Sequence, residues 1–168
     1  MENIVLIGMP GAGKSTIGII LAKVLGMNFI DSDLLIQKQE GMLLKDIIEQ
    51  KGLQGYLAIE NQVNRDIWAE NTVIATGGSV VYCPEAMEHF RNTARVVYIK
   101  LSYNTIRKRL GNIKQRGVVL RDGQTLLDLY CERCPLYEKY AHIIVDAEGL
   151  SIEEVMEKIV KEVAGNQT

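Results

Sequence analysis

Short apolar runs alternate along this chain with longer amphipathic segments. Five apolar, β-branched stretches have the length of buried strands; they lie at 3–7, 27–31, 72–76, 94–101 and 142–146. Segments of helical length or periodicity lie between and after them, at 15–25, 34–50 with a break near Gly41, 54–70, 103–110, 125–140 and from Ser151 onward. This alternation predicts an α/β fold, in which a five-stranded parallel sheet carries helices on both faces.

The amino-acid composition and net charge indicate which class of protein this chain belongs to. The 168 residues are 47% hydrophobic and 24% charged, so we expect one domain that spans 1–168. A net charge of −2 argues against a nucleic-acid-binding or membrane surface. No apolar run approaches the ~20 residues that cross a bilayer, and the first residues do not resemble a signal peptide. We therefore expect a cytoplasmic protein, and we expect it to be a monomer.

The stretch "GMPGAGKST", which follows the first predicted strand, fits the phosphate-binding loop (P-loop). Its glycines let backbone N–H groups surround phosphates, Lys14 is expected to neutralise the β- and γ-phosphates, and Ser15 is expected to hold Mg²⁺. The predicted nucleotide-binding residues of this loop are Gly8, Gly11, Ala12, Gly13, Lys14, Ser15 and Thr16. The sequence thus predicts a P-loop protein of three α/β/α layers that binds a nucleoside triphosphate with Mg²⁺.

The carboxyl ends of the second and third strands are where an acceptor pocket is expected. Asp31 and Asp33 follow strand two, and they would orient Mg²⁺ and bind or deprotonate the acceptor hydroxyl, respectively. The alternative is a pair of capping residues for the next helix. Gly77 and Gly78 follow strand three and offer a bare backbone to a small ligand, the alternative being an ordinary tight turn.

Three arginines surround a polar, glycine-containing segment at 111–123. Arg109 lies just before this segment, Arg116 lies within it, and Arg133 lies in the helix after it. A kinase must exclude water, so a mobile lid at 111–123 with Arg116 as a catalytic residue at the phosphates is expected. The alternative for each arginine is a solvated surface position.

With these residues the chain resembles the shikimate kinase family, in the order "GMPGAGKST", "FIDSD", "IATGG", Arg116 and "ERCPLYEKYA". The resemblance implies a fold like that of nucleoside monophosphate kinases, acceptor-binding helices at about 32–60, and ATP-dependent phosphorylation of shikimate in aromatic amino acid biosynthesis. It implies that Asp31 holds Mg²⁺ through water and that Asp33, Gly77, Gly78 and Arg133 bind shikimate. It further implies that Arg109 packs on adenine and that Arg116 acts at the phosphates.

The chain departs from this family where "GLQGYLAIE" (52–60) replaces Gly-Glu-x-x-Phe-Arg-x-x-Glu. Leu57 stands at the position of an arginine that would share the shikimate carboxylate with Arg133, and Leu53 stands at the position of a glutamate. Ser79 replaces the third glycine of Gly-Gly-Gly, and "RGVV" at 116–119 replaces Arg-Pro-Leu-Leu.

These departures leave alternatives open. One is a kinase for another small hydroxylated acceptor, including an acceptor with an ammonium group if Glu60 is unpaired. The others are a nucleoside monophosphate kinase, for which we find no additional arginine set, and an ATP-binding module without turnover. The cysteines Cys131 and Cys134 are interpreted as incidental, and Trp68 and Tyr56 as packing residues on one helix.

Overall fold

The computed structural model describes residues 2–111, 118 and 120–165. Arg116 and most of the expected lid at 111–123 lie outside the described residues. Within the described residues, no helix is both long and apolar enough to cross a membrane.

A five-stranded parallel sheet forms the centre of the molecule, with the strand order β2-β3-β1-β4-β5. The strands are β1 (Asn3–Ile7), β2 (Asn28–Asp31), β3 (Thr72–Ala75), β4 (Ala94–Lys100) and β5 (Ile143–Asp146). Leu6 of β1 is paired with Ala75 of β3, and Ala75 is paired with Asp31 of β2. The predicted fold class is therefore confirmed, and the first three strands end side by side.

Seven α-helices connect or follow these strands in the described part of the chain. They are α1 (Lys14–Leu25), α2 (Ser32–Glu40), α3 (Leu44–Arg65), α4 (Pro84–Thr93), α5 (Tyr103–Leu110), α6 (Leu126–Tyr140) and α7 (Ile152–Gly165). A short 3₁₀ helix, Val80–Tyr82, precedes α4. Helix α1 packs on β3, α7 packs on β5, and these two helices also contact each other. Helices α4 and α6 pack on β4.

The helix boundaries differ from the sequence pattern in two places. Helix α3 joins the second part of the segment predicted at 34–50 to most of the segment predicted at 54–70, with a kink at Gly52 (φ 70°, ψ 179°), and it ends at Arg65. Helix α4 was not predicted, although Pro84 occupies its first turn, where proline is favoured because no N–H donor is needed there.

The core has two parts. The main cluster surrounds the sheet, and a smaller cluster joins α2 to α3 through Ile36, Ile47, Tyr56 and Val63. Since Asp33 and Glu60 lie on the same two helices, this smaller core fixes their positions relative to each other.

Candidate active site

A cavity of about 410 Å³ lies at the carboxyl edge of the first three strands. The P-loop follows β1, Asp31 ends β2, and Thr76 to Gly78 follow β3. The cavity is lined by Pro10, Gly11, Gly13, Lys14, Ser15, Thr16, Asp33, Leu44, Tyr56, Thr76, Gly77, Gly78, Ser79, Val118 and Arg133. One space is therefore bordered both by the loop expected to hold a nucleotide and by the residues expected to hold an acceptor.

The loop after β1 has the backbone that a phosphate cradle needs. Gly13 has φ 90° and precedes the first residue of α1, so the loop turns directly into the helix N-terminus. A Cβ atom at Gly8 would lie 2.8 Å from the carbonyl oxygen of Ile99 in β4. The loop consequently packs too closely on the sheet for any side chain at Gly8.

Lys14 lies folded back onto this loop. Its Nζ donates hydrogen bonds to the carbonyl oxygens of Gly8 and Met9, at 2.7 and 2.8 Å. Burial lowers the pKa of Lys14 to about 8, and the negative charge of Asp33 opposes that effect. Because its hydrogen-bond partners are neutral carbonyls, phosphate oxygens would be stronger partners for this cation.

Ser15 and Asp31 form a pair of oxygen donors beside Lys14. The Ser15 hydroxyl donates to Asp31 Oδ2 at 2.8 Å. Asp31 Oδ1 accepts from the backbone N–H groups of Asp33 and Leu34, and it thereby caps α2. Asp31 is thus a helix cap, which was the alternative interpretation of this residue. It also offers a carboxylate oxygen of the type that Mg²⁺ binds.

Within the described residues, no group of three or more His, Cys, Asp and Glu side chains is placed to hold a metal ion. Any cation at Ser15 and Asp31 would therefore need further ligands from a nucleotide or water, which is how Mg²⁺ binds in nucleotide sites.

Asp33 extends into the cavity from the first turn of α2. Its Oδ1 atom is buried and has no hydrogen-bond partner among the described residues. Burial, together with the nearby charge of Asp31, raises the pKa of Asp33 to about 6, and Lys14 opposes this shift. A carboxylate with this pKa is ionised at neutral pH and can accept a hydrogen bond from a hydroxyl group.

Gly77 and Gly78 are glycines because other groups approach them closely. A Cβ atom at Gly77 would lie 2.6 Å from Asp33 Oδ1 and 3.0 Å from Glu60 Oε2. One at Gly78 would lie 2.7 Å from Pro10 Cδ and 2.9 Å from Arg133 Nη1. The two glycines lie in a tight turn, since the Val80 N–H donates to the Gly77 carbonyl at 3.3 Å, and they also leave room for two acidic groups and one arginine.

Arg133 brings a buried positive charge to the same cavity. It is 1% exposed, and its guanidinium carbon lies 5.3 Å from the centroid of the Tyr82 ring. Tyr137, one turn further along α6, donates a hydrogen bond to the carbonyl of Gly78 at 2.6 Å. Helix α6 is thereby tied to the loop after β3, so Arg133 faces the cavity and not solvent.

Glu60 is fully buried and hydrogen-bonded. Ser79 Oγ donates to Glu60 Oε1 at 2.6 Å, and the Tyr56 hydroxyl donates to Oε2 at 3.5 Å. Burial raises the pKa of Glu60 to about 7 although the Ser79 hydrogen bond favours the charged form. Glu60 thus has two hydroxyl groups as hydrogen-bond partners, and the hypothesis of an acceptor with an ammonium group, which depended on an unpaired Glu60, stays a prediction.

Leu57 lies beside a separate cavity of about 10 Å³. The other residues around that cavity are Leu53, Tyr82, Arg121, Gln124, Leu129 and Glu132. Among the described residues that line the 410 Å³ cavity, neither Leu53 nor Leu57 is found. The two leucines replace charged positions of the family with an apolar surface that packs against both parts of the core.

Arg109 lies on the other side of the P-loop. Its Nη1 donates to the carbonyl of Gly11 at 3.2 Å, and it borders a cavity of about 140 Å³. The remaining residues of this cavity are Ala12, Gly13, Thr16, Ile17, Ala147, Leu150, Ile152 and Val155. The sequence did not indicate the four residues after β5, because apolar residues in a loop or in α7 carry no functional signal of their own.

Several other interpretations can be compared with the structure. Tyr56 packs in the smaller core and also borders the large cavity. Trp68 lies beyond the end of α3 and is 78% exposed, so it does not share the helix of Tyr56, but its ring packs edge-on against His89 with 4.5 Å between the ring centroids. Cys131 and Cys134 are free thiols.

Comparisons with known proteins come from both sequence and structure. The family model for shikimate kinase matches residues 10–164. The shikimate kinase of Thermodesulfovibrio yellowstonii is 38% identical over 165 residues, which cover 96% of this chain and 95% of that protein. The shikimate kinase of a Sulfurihydrogenibium species is 35% identical, with 97% and 98% covered.

Among solved structures, shikimate kinase from Acinetobacter baumannii in complex with shikimate superposes with a TM-score of 0.92 at 30% identity. That match covers 99% of this chain and 95% of the other. Sequence and structure comparisons therefore agree over nearly the full length of the chain.

Proposed function

Because the chain belongs to the shikimate kinase family, we propose that it transfers the γ-phosphoryl group of ATP to a hydroxyl of shikimate, forming shikimate 3-phosphate and ADP. The observation that supports this most directly is the shared cavity. Lys14 of the P-loop, Asp33 and Arg133 all border one space of about 410 Å³.

On the nucleotide side, the P-loop from Gly8 to Thr16 binds the phosphates through backbone N–H groups, and Lys14 Nζ exchanges its carbonyl partners for phosphate oxygens. Ser15 and Asp31 would hold Mg²⁺, Asp31 through water. When bound, Mg²⁺ neutralises phosphate charge. Arg109 packs on the adenine at the 140 Å³ cavity.

On the acceptor side, Asp33 accepts a hydrogen bond from the hydroxyl that is phosphorylated and increases its nucleophilicity. Arg133 binds the carboxylate of shikimate, and Gly77 and Gly78 allow the ring to approach the backbone. The low polarity around these buried groups strengthens both interactions, because water competes poorly there. Positioning of the hydroxyl in line with the phosphate then supplies most of the catalysis.

Arg116 and a mobile lid at 111–123 complete the proposal, and they stay predictions because they fall mainly outside the described residues. Val118, which is described, borders the large cavity, as a segment that covers the site would. The single-domain organisation, the monomeric state and the cytoplasmic location also stay predictions.

A second candidate function is a kinase for another small hydroxylated acceptor, and the observation that favours it is Leu57. A carboxylate that loses one of two arginine partners binds more weakly by ~2–4 kcal/mol. Arg133 would then be the main cation for the substrate.

An ADP-release assay with shikimate, gluconate, homoserine and threonine tests both candidates. We expect shikimate to give the highest kcat/KM. A higher value for another acceptor would replace shikimate by that compound, and ADP release that no acceptor increases would exclude a kinase of this group.

A further inference from the structure

Ser79 and Glu60 form a buried pair on the wall of the acceptor cavity. Ser79 borders the cavity, but its hydroxyl points away to Glu60 Oε1, at 2.6 Å. Both side chains are buried, with 4% and 0% of their surface exposed. A short, buried hydrogen bond to an ionised carboxylate is strong, so it fixes the position of Glu60.

Four further groups influence Glu60 from the elements packed around it. Asp33 of α2 carries a like charge, and its Oδ1 and Glu60 Oε2 both lie within 3.0 Å of the point where a Gly77 Cβ would stand. Arg133 of α6 carries an opposite charge and favours the ionised form of Glu60. Tyr56 of α3 donates a hydrogen bond to Oε2, and the Cys83 thiol lies 3.9 Å from Oε1.

Glu60 also interacts with Lys14, whose positive charge it favours. Its negative charge therefore acts on both cations of the cavity, although the carboxylate itself is shielded from solvent. The positive potential that an anionic ligand meets at Arg133 is smaller than Arg133 alone would produce, because opposite charges offset each other.

We propose that Ser79 and Glu60 are specificity-determining residues that weaken the binding of an anionic acceptor, by holding a negative charge beside Gly77 in the wall of the cavity that Arg133 also borders. This inference rests on the proposed function, in which Arg133 binds the acceptor carboxylate. Ser79 is a positioning residue in this arrangement, since it acts on the acceptor only through Glu60.

The test compares two acceptors that differ in charge. The first is shikimate and the second is its methyl ester, which is uncharged. KM for each acceptor and for ATP is measured at pH 7.5 with the wild type, Glu60→Gln and Ser79→Ala. Gln preserves the shape of Glu60 and can still accept the Ser79 hydrogen bond, so the variant removes the charge with little change in packing.

We expect Glu60→Gln to lower KM for shikimate by roughly three- to tenfold, as the loss of one charge in a partly buried site predicts. KM for the uncharged methyl ester should stay within about twofold. Ser79→Ala should change KM for shikimate in the same direction, because a carboxyl group without this donor retains its proton at a higher pH. In the Glu60→Gln background, Ser79→Ala should add no further charge-selective change.

Thr93→Ala is the matched control, since it also removes a small hydroxyl. Thr93 lies at the end of α4 and donates to the carbonyl of His89. All KM values should be unchanged in this variant.

The inference is overturned if Glu60→Gln leaves KM for shikimate unchanged or raises it, or if it changes both acceptors equally. A wild type that phosphorylates neither acceptor would instead refute the proposed function. Calorimetric titration with shikimate then tests the inference without turnover: tighter binding by Glu60→Gln supports it, whereas equal, weaker or absent binding overturns it.

Discussion

Gly77→Ala adds one methyl group at the point where the acceptor side of the cavity is most crowded. The new Cβ would lie 2.6 Å from Asp33 Oδ1, whereas an ordinary contact begins at 3.4 Å. Asp33 must therefore move by about 0.8 Å, and Glu60 Oε2, at 3.0 Å from the same point, must also give way. The φ angle of Gly77 is one that alanine adopts, so the effect comes from this contact and not from backbone strain.

A displacement of about 1 Å in a positioned catalytic group can reduce a rate about 100-fold. We therefore expect Gly77→Ala to lower kcat with shikimate by roughly 30- to 100-fold, or ~2–3 kcal/mol in the activation barrier. The three atoms nearest to the new Cβ belong to Asp33 and Glu60 and not to the P-loop, so the Kd for ATP should stay within about twofold.

The assay is ADP release with saturating shikimate, combined with an ATP-binding titration and a thermal melt to verify folding. Gly165→Ala is the control, since a Cβ there meets nothing within 4 Å. A folded Gly77→Ala protein with wild-type kcat would show that Asp33 need not keep its position, and the proposed role of Asp33 would then fail.

Four further changes test the remaining parts of the site. Lys14→Ala should abolish phosphoryl transfer while circular dichroism shows an intact fold; turnover at the wild-type rate would refute the P-loop assignment. Asp33→Asn should keep ATP affinity and lose most transfer; a collapse of ATP affinity in a binding titration would assign Asp33 to the metal site with Asp31. Leu57 does not line the 410 Å³ cavity, but Leu57→Arg introduces a longer, cationic side chain one helical turn from Glu60 and should lower KM for shikimate tenfold or more at constant KM for ATP. Unchanged kinetics would mean that the arginine side chain does not reach the cavity either. Glu60→Gln should also change how stability depends on pH. The pKa of Glu60 is raised to about 7 in the folded protein, so protonation of Glu60 stabilises the fold. This contribution is complete below the pKa of the unfolded state and is lost as the pH rises through 7. Urea denaturation should therefore show the variant gaining on the wild type by ~1–3 kcal/mol between pH 5 and pH 8, and a constant difference would contradict a buried, titrating Glu60.

The sequence alone determined the fold class and the edge of the sheet at which the site lies. Apolar runs that alternate with helical segments leave a parallel sheet as the stable arrangement, and in such a sheet the residues after β1, β2 and β3 must meet. The P-loop was recognisable for the same reason, because its chemistry is carried by consecutive residues in one local conformation. Lys14, Asp33, Gly77 and Arg133 accordingly border one cavity.

The sequence did not show which side chains face each other across elements. Ser79 and Glu60 are 19 residues apart, and their hydrogen bond exists only because α3 packs on the 3₁₀ helix after β3. The same packing decides that Leu57 lies beside the smaller cavity and that Gly77 is crowded by two acids. Local pattern fixes the elements, since it depends on neighbours along the chain, whereas the charge and shape of the acceptor cavity depend on contacts that form only when the helices pack.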